Sequence, residues 1–315
     1  MKKTKFMTNF PRIKVIGIGG SGSNAISRMM KLRIRGVDLI AMNTDGQDLI
    51  KTRANYKLRI GRKLTRGLGA GMNPEIGRLA AEESKLEISE VIKDSDMVFV
   101  TYGAGGGTGS GAGPVVAEIA KLQGALTVAV VTRPFSFEGR LRQSIAGSSL
   151  KILGEKVDTL ISISNDKLIS VLDPKVSLSN AFWMCDEILR QAVQGISDLI
   201  VLPGIINVDF ADVRAIMQNS GTALFGIGYS HGENRAEEAA SKALNSPLLD
   251  VSCKGAKGVL FNVSGGGDVT LSEIDQVAKL IGKEISPEAR IIFGAVQDEK
   301  LRKGEIKVTV IATGF

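Results

Sequence analysis

Two glycine-rich stretches of the sequence have the residue types that bind phosphate. Gly17 to Gly22 reads GIGGSG, and Gly103 to Gly111 reads GAGGGTGSG, with six glycines in nine residues. Glycine lets a ligand approach the backbone closely, and the N–H groups at a helix start bind anions. Each stretch lies between an apolar run and a segment with helical spacing, where a flexible linker is not expected. We therefore interpret each stretch as a phosphate-binding turn.

The number of phosphate-binding turns indicates how long a phosphate chain the ligand has. The first stretch matches G-x-G-x-x-G, and Asp38 or Asp45 follows about twenty residues later, which is the pattern of a nicotinamide-dinucleotide site. Two turns at neighbouring strands would instead hold a longer polyphosphate from both sides. No G-x-x-x-x-G-K-[ST] motif occurs, so backbone amides would replace the lysine of that motif. Thr108 and Ser110 would add hydroxyls beside the phosphates or Mg²⁺.

A third segment, NVDFADV, carries two carboxylates. Asp209 and Asp212 are three residues apart and would share one helical face if a helix begins here. Judged from these residues alone, the carboxylates would be helix caps.

The apolar patterns predict which elements position these residues. RIKVIGIG, VDLIAMN, MVFVTY, LTVAVVT and VDTLISIS read as strands that alternate with helices, as in a parallel α/β sheet. A helix is predicted from Pro74 to Lys93, and a long helix with a continuous apolar stripe from Ser179 to Ile200. Four strands and two helices follow Pro203: GTALFGIGY, KGVLFNVSG, ARIIFGAV, IKVTVIATG, AEEAASKAL and LSEIDQVAKLIG. This order predicts a second, smaller α+β domain.

Composition excludes several classes of protein. The chain has 315 residues, 43% of them hydrophobic, and it has no continuous apolar run long enough to span a membrane. Cys185 and Cys253 are far apart, which argues against a disulfide framework, and the single histidine makes histidine-based acid–base chemistry improbable. The net charge is +7, but the basic residues are scattered and no RNA-binding signature occurs. We interpret the excess as a solvated surface whose field favours an anionic ligand.

Blocks of sequence along almost the whole chain resemble the tubulin/FtsZ family, and FtsZ in particular. GAGGGTGSG resembles the family's signature loop, and GIGGSGSNAISRM, NTDGQDL, RPFSFEGRLR, SNDKLI, NAFWMCDEILRQAVQGISDLI, GIINVDFADV and GTALFGIG follow in family order. The resemblance implies a Rossmann-like, parallel-sheet GTP-binding domain and a smaller α+β domain joined by a long central helix. It also implies a GTPase that polymerises head to tail into filaments and acts in bacterial-type cell division.

The resemblance implies the following nucleotide contacts. Glycine loops hold the phosphates, Glu138 and Arg142 match sugar and phosphate contacts, and Asn165, Phe182 and Asp186 match the guanine pocket. A carboxylate at Asp186 would accept hydrogen bonds from guanine N1–H and the 2-amino group. Without the resemblance, Phe182 would be interpreted as a core residue and Asp186 as an exposed charge on the helix. The remaining implied contacts are Gly19, Gly20, Ser21, Gly22, Asn24, Asn43, Thr44, Asp45, Gly103, Ala104, Gly105, Gly106, Gly107, Thr108, Gly109 and Pro134.

The resemblance also gives the acidic segment a role. In FtsZ the matching loop brings these acids to the γ-phosphate of the neighbouring subunit, so Asp209 and Asp212, with Asn207 beside them, are implied to orient the attacking water. GTP, GDP and Mg²⁺ are the implied ligands, and no side chain is assigned to the metal. The long helix between the domains is a candidate for transmitting the change that follows hydrolysis.

The implied organisation is a GTP-binding domain over 1–174, a central helix over 175–203 and a C-terminal domain over 204–315 that completes the neighbour's site. The implied partners are other copies of the chain and division adaptor proteins, with no nucleic acid and no direct membrane insertion. The family's adaptor-binding tail is not in the sequence, so either the sequence is truncated, which we favour, or the protein is tethered in another way. The expected location is the cytoplasm, at the division site.

The sequence departs from the family pattern at a few positions, and it leaves two alternatives open. Ser21, Ser23 and Ser110 are small like the usual residues, whereas Trp183 to Cys185 replaces a more polar stretch beside the base. A nicotinamide-dependent oxidoreductase would explain G-x-G-x-x-G alone. A filament scaffold that binds GTP but hydrolyses little is the other alternative, against which Asp209 and Asp212 argue.

Overall fold

A ten-stranded, mainly parallel sheet organises the chain. The computed structural model describes residues 10–32, 34, 36–169, 175–202, 204–246, 253–298 and 300–315. The strand order in the sheet is β3-β2-β1-β4-β5-β6-β7-β10-β8-β9. The strands are β1 (Ile13–Ile18), β2 (Val37–Asn43), β3 (Tyr56–Arg59), β4 (Met97–Gly103), β5 (Leu126–Arg133), β6 (Thr159–Ser164), β7 (Gly221–His231), β8 (Gly258–Gly265), β9 (Arg290–Gln297) and β10 (Glu305–Thr313).

Helices cover the two faces of this sheet. They are α1 (Gly19–Lys31), α2 (Gly46–Lys51), α3 (Arg62–Thr65), α4 (Pro74–Glu83), α5 (Lys85–Ile92), α6 (Gly107–Leu122), α7 (Arg140–Lys156), α8 (Asn165–Ile169), α9 (Leu178–Val201), α10 (Phe210–Met217), α11 (Arg235–Leu244) and α12 (Leu271–Glu284), with a 3₁₀ turn at Ser136–Glu138. Among the described residues, no helix is long and apolar enough to cross a membrane.

Strands β1 to β6 all run in the same direction, as the alternating pattern predicts. The central strands β1, β4 and β5 are buried on both faces, which explains why they read as mainly apolar runs. The carboxyl ends of these parallel strands therefore meet at one edge of the sheet. The segments that follow β1, β4, β5 and β6 are brought together there.

The C-terminal half adds mixed strands to the same sheet. β10 pairs antiparallel with β7 and β8, and β8 pairs parallel with β9. Three residue pairs, Thr159 to Ile161 on β6 with Gly221 to Ala223 on β7, connect the two halves. The sequence patterns predict a parallel α/β part and an α+β part, and both are confirmed, but the patterns do not predict that one sheet runs through both.

The long central helix is confirmed as α9, which begins one residue earlier and ends one residue later than predicted. The Ser177 hydroxyl caps its start by accepting from the Asn180 N–H at 3.2 Å. The predicted apolar stripe is buried in a core shared by both halves of the chain, so α9 is packed along most of its length: Cys185, Ile188, Leu189, Ala192, Val193, Ile196 and Leu199.

The single helix predicted from Pro74 to Lys93 is wrong. The structure breaks it at Ser84 into α4 and α5. Ser84 has φ −101° and ψ 18°, and its buried hydroxyl accepts from the Gly61 N–H at 3.0 Å. This tertiary hydrogen bond to Gly61 outweighs the apolar spacing here.

Candidate functional site

A cleft of about 320 Å³ lies at the carboxyl ends of β1, β4, β5 and β6. Its walls come from the segments after these strands and from the first turns of α9. The structure thus brings together most of the nucleotide-contact residues predicted from the sequence: Gly19, Gly20, Ser21, Gly103, Ala104, Gly106, Gly107, Thr108, Gly109, Pro134, Glu138, Arg142, Asn165, Phe182 and Asp186.

Two helices begin at this cleft. α1 starts at Gly19 directly after β1, and α6 starts at Gly107 after β4. The residues before these starts, Ile18 and Gly106, provide no side-chain cap, so no capping side chain occupies the first-turn N–H groups. Free N–H groups and the positive ends of two helix dipoles make the cleft suited to a multiply charged anion.

The glycines of the second stretch divide into two groups by what surrounds them. A Cβ on Gly106 would meet no heavy atom within 4 Å, so Gly106 leaves its side of the cleft open. A Cβ on Gly111 would lie 1.9 Å from the Pro74 carbonyl oxygen, so that glycine lets α6 pack directly on α4. Gly105 has φ +100°, a conformation that favours glycine. The stretch serves both close helix packing and an open cradle.

The two hydroxyls predicted beside the phosphates are placed differently. The Thr108 hydroxyl lines the cleft and lies 2.8 Å from the Thr44 hydroxyl. Ser110 does not line the cleft, because its hydroxyl accepts from the Gly105 N–H at 2.9 Å and fixes the loop from behind. The prediction that Ser110 adds a hydroxyl on the ligand side is therefore wrong, and of the two predicted residues Thr108 is the one that lines the cleft.

A second group of predicted residues lies behind the cleft. Asn43 donates to Asp48 at 2.7 Å, and the Asp45 carboxylate caps α2 by accepting from the Gln47 N–H at 2.9 Å. Thr44 reaches the cleft through its contact with Thr108. The structure therefore places Asn43, Thr44 and Asp45 as a supporting layer.

Three further predicted residues do not line the cleft. A Cβ on Gly22 would lie 2.6 Å from the Gly17 backbone, so Gly22 serves the packing of α1 on β1. Gly105 lies in the turn without forming the wall. Asn24 lines an adjacent depression between α1 and α9.

Asn165, Phe182 and Asp186, the residues predicted for a base pocket, all line the cleft. Asn165 is buried at the start of α8, and its Oδ1 atom has no hydrogen-bond partner among the described residues. The Phe182 ring is 41% exposed and contacts Phe135 edge to face at 5.5 Å. A half-exposed ring beside an unpaired amide oxygen fits a planar ligand with hydrogen-bond donors.

The Asp186 carboxylate is the charged group of this pocket. Its side chain is 12% exposed, and Oδ2 accepts from Arg28 Nη2 at 3.1 Å. Burial raises the pKa of Asp186 to about 6, against the opposing effect of the Arg28 charge. At neutral pH the ionised form dominates, so both oxygens can accept hydrogen bonds from a ligand.

Glu138 and Arg142 also line the cleft and are paired with each other. Arg142 Nη1 donates to Glu138 Oε2 at 2.6 Å, and Glu138 Oε1 accepts from the Phe135 N–H at 2.9 Å. Both Glu138 oxygens are thus engaged, and Oε2 is the one that holds the Arg142 guanidinium.

The sequence interpretation missed several cleft residues. Ala70, Gly71 and Met72 belong to RGLGAGMN, where Gly67, Gly69 and Gly71 alternate, and this third glycine cluster was the available signal. Ile18, Thr132 and Cys185 also line the cleft. Burial raises the pKa of the Cys185 thiol to about 12, so it stays protonated and is a poor nucleophile.

The acidic segment lies at the other edge of the sheet. Asp209 lines a depression with Phe10, Arg12 and Asp96, which lie just before β1 and β4. The Asp209 carboxylate caps α10 by accepting from the Ala211 N–H at 3.0 Å, and Asp212 lies in the first turn. Asn207 Oδ1 accepts from the Gly204 N–H at 2.6 Å. Because β1 has six residues, this edge is about 20 Å from the cleft of the same chain.

The donor set of the cleft fits a nucleoside triphosphate. Two uncapped helix starts suit the phosphates, and the unpaired Asn165 oxygen and ionised Asp186 suit the donors of a base. Within the described part of the chain, no group of three or more histidine, cysteine, aspartate or glutamate side chains could hold a metal. A Mg²⁺ ion here would be held mainly by phosphate oxygens and water, with the Thr108 hydroxyl available.

Comparisons with known proteins agree with this geometry. The Tubulin/FtsZ family GTPase domain matches residues 12–173, and the FtsZ family C-terminal domain matches residues 221–315. The chain is 51% identical to an empty FtsZ dimer from M. jannaschii, with TM-score 0.93 over 96% of this chain and 88% of that chain. A W319Y mutant of M. jannaschii FtsZ gives 51% identity and TM-score 0.93 over 97% and 91%.

A more distant relative shares the fold. CetZ2 from Haloferax volcanii, solved as a GTPγS-bound protofilament, is 22% identical, with TM-score 0.80 over 96% of this chain and 92% of that chain.

Proposed function

Because this chain belongs to the FtsZ family of GTP-binding cytoskeletal cell-division GTPases, we propose that it hydrolyses GTP only after assembling head to tail into filaments. In this proposal the cleft of one subunit binds GTP, and Asp209 and Asp212 of the next subunit complete the site. The alternative of a nicotinamide-dependent oxidoreductase has no support from the family.

One observation carries the proposal: the cleft and the acidic segment lie at opposite edges of the same sheet. Their separation of about 20 Å is far beyond the roughly 3 Å over which a side chain orients a reacting water. Each chain therefore has the nucleotide cleft at one end and Asp209 and Asp212 at the other. Stacking two copies with the same orientation brings the unlike ends together.

Such a contact joins two different surfaces, the cleft of one subunit and the acidic segment of the next. One end of the filament therefore has a free cleft, and the other end has a free acidic segment. Repetition of a heterologous contact gives an open filament when the rotation does not close. M. jannaschii FtsZ, which is 51% identical to this chain, has been solved as a dimer, and this supports self-assembly. The proposed division of labour is GTP binding by 1–174, connection by 175–203 and completion of the neighbour's site by 204–315.

The chemistry follows from the groups at each end. The helix starts at Gly19 and Gly107 hold the phosphates through N–H groups, and Thr108 adds a hydroxyl donor. Mg²⁺, when bound, neutralises charge on the phosphates. Asp209 and Asp212 of the adjacent subunit orient the attacking water, and Asn207 supports that loop. Little covalent chemistry is needed, so positioning accounts for most of the rate.

The remaining parts of the proposal rest on the family alone. We expect the protein to act in the cytoplasm at the division site and to bind division adaptor proteins. Neither expectation uses a residue of the cleft.

The test measures GTP hydrolysis per subunit with Mg²⁺ across a wide range of protein concentration, with filament pelleting alongside. We expect negligible activity below a threshold and a rise together with pelleting. Constant activity per subunit from dilute monomer upward would show that one chain holds the complete site.

Mixing Asp212→Ala protein with wild-type protein tests directly whether two subunits share one site. Asp212→Ala filaments keep their clefts but lack the acid, so wild-type subunits added below their own threshold should restore hydrolysis in proportion to the amount added. Glu90→Ala, which removes an exposed carboxylate from α5, is the matched control and should behave as wild type. Co-pelleting of both proteins without restored hydrolysis would contradict the shared site.

A further inference from the structure

A depression of about 700 Å³ between α1 and α9 adjoins the base end of the cleft. It shares Phe182 and Asp186 with the cleft, and α1 contributes Arg28 to its floor. Arg28 belongs to none of the residue sets assigned so far. Its position behind Asp186 links the depression to the proposed base pocket.

Arg28 is held between two residues of α9. Its side chain is 20% exposed, and Nη2 donates to Asp186 Oδ2 at 3.1 Å. Its guanidinium carbon lies 5.0 Å from the centre of the Trp183 ring, within the range of a cation–π contact. The Nε atom is buried and has no partner among the described residues. Trp183 and Asp186 are three residues apart on α9, so one turn of this helix holds the guanidinium.

The charge of Arg28 affects the protonation of the Asp186 carboxylate. Desolvation favours the protonated form of Asp186, and the Arg28 charge opposes it. Other titratable groups line the same two cavities, but none has a hydrogen bond to the Asp186 carboxylate among the described residues: Lys31 on α1, Glu138 on the 3₁₀ turn, Arg142 on α7, and Cys185 and Glu187 on α9.

The orientation of Asp186 decides which bases can bind. Guanine presents two adjacent donors, N1–H and the 2-amino group, and a carboxylate accepts from both only with its two oxygens facing the base. A protonated or rotated carboxyl group would offer a donor or a single oxygen, and a buried donor facing a donor is strongly disfavoured.

We propose that Arg28 is a positioning residue for base recognition: together with Trp183 it holds the Asp186 carboxylate so that both oxygens face guanine. This inference rests on the proposed function, because it assumes that the cleft binds GTP. It assigns Arg28 a part in specificity for guanine over bases that lack the 2-amino group.

The experiment compares GTP and ITP, which lacks only the 2-amino group, by equilibrium binding to dilute protein between pH 5.5 and 8. Wild type should prefer GTP by about tenfold to a hundredfold, as one hydrogen bond to a charged group provides. In Arg28→Ala the preference should fall towards one, and the pH below which GTP binding weakens should rise from near 6 towards neutral. Arg28→Lys keeps the charge without the planar fork and should be intermediate.

The controls separate positioning from folding. Arg214→Ala removes an arginine that also lies over a ring, 5.3 Å from Phe210, but at the other edge of the sheet, so the preference for GTP should not change. In Asp186→Asn, adding Arg28→Ala should have no further effect on the preference. Thermal unfolding of each variant checks that it is folded.

Each outcome has one meaning. If Arg28→Ala weakens GTP and ITP equally and leaves the pH profile unchanged, Arg28 is only structural and the inference is overturned. If Arg28→Ala does not fold, Arg28→Lys decides by the same comparison. If wild type binds GTP and ITP equally, Asp186 does not read the 2-amino group and this inference is overturned while the proposed function stands. If wild type binds neither nucleotide, the proposed function fails as well.

Discussion

Gly111 and Gly106 belong to one glycine-rich stretch, but a methyl group added to each should have opposite effects. In Gly111→Ala the new Cβ would lie 1.9 Å from the Pro74 carbonyl oxygen and 2.6 Å from the Arg78 nitrogen. Both are backbone atoms of α4, so no side chain can move aside. The helices must separate by more than 1 Å, and we expect a loss of about 3 kcal/mol in the free energy of unfolding, at the upper end for overpacking.

Gly106→Ala is the matched variant. Gly106 has φ −91° and ψ 173°, which alanine adopts without strain, and the Cβ would meet no atom within 4 Å. The free energy of unfolding should therefore change by less than about 0.5 kcal/mol. The methyl group would, however, occupy the open side of the cleft and keep the phosphates from the backbone. GTP affinity should fall at least about tenfold, or 1.4 kcal/mol.

Thermal unfolding without nucleotide and GTP binding to dilute protein measure the two effects. For a chain of this size we expect Gly111→Ala to lower Tm by about 6 °C, and Gly106→Ala to leave it within about 1 °C of wild type. A wild-type Tm for Gly111→Ala would show that α4 and α6 are not in backbone contact. Unchanged GTP binding by Gly106→Ala would show that the phosphates bind elsewhere.

Two further predictions concern the base pocket and the C-terminal half. Asp186→Asn should shift the binding preference from GTP to XTP by at least about tenfold, because the amide can accept from N1–H while donating to the 2-oxo group of xanthine. Competition binding with the two nucleotides measures this preference. A retained preference for GTP would contradict the assignment of Asp186 to the base pocket. Arg235 is buried and bonds Glu273 through Nε at 2.5 Å and Nη2 at 3.1 Å, so Arg235→Ala should cost about 3 kcal/mol at pH 7. Hydrogen bonds from Arg235 lower the pKa of Glu273, so the stabilisation is present above the unfolded value of 4.5 and is lost as the pH falls through the lower folded value. Urea unfolding at pH 7 and pH 4 should therefore show a smaller penalty at pH 4, and an equal penalty would contradict the charged pair.

The elements that the sequence predicts well are those whose burial is uniform. Strands β1, β4 and β5 are covered on both faces and appear as mainly apolar runs, interrupted in β1 by Lys14. The short edge strand β3 was missed, because only Leu58 of its four residues is buried and its pattern is polar. The break at Ser84 depends on a hydrogen bond to Gly61, which no local pattern encodes.

In the candidate site, too, the features that depend on tertiary contacts could not be predicted from the sequence. The glycine stretches were visible because close backbone approach requires glycine, and the structure brings most of the predicted contacts into one cleft. The contact of Arg28 with the site could not be predicted from the sequence, because its partner Asp186 is 158 residues away along the chain. An arginine on a predicted helix reads as solvated until the packing of α1 on α9 is known.

The length of α9 connects the two ends of the proposed function. The part of this helix that follows Asp186 is about 22 Å long at 1.5 Å per residue, close to the roughly 20 Å of a six-residue β1. The helix therefore crosses the sheet from the edge with the cleft to the edge with Asp209. A shorter helix would leave the acids beside the strands, and a longer one would carry them past the sheet. The buried stripe of α9 packs along this span, so one helix connects Asp186 at the cleft with the segment that leads to the Asp209 cap of α10.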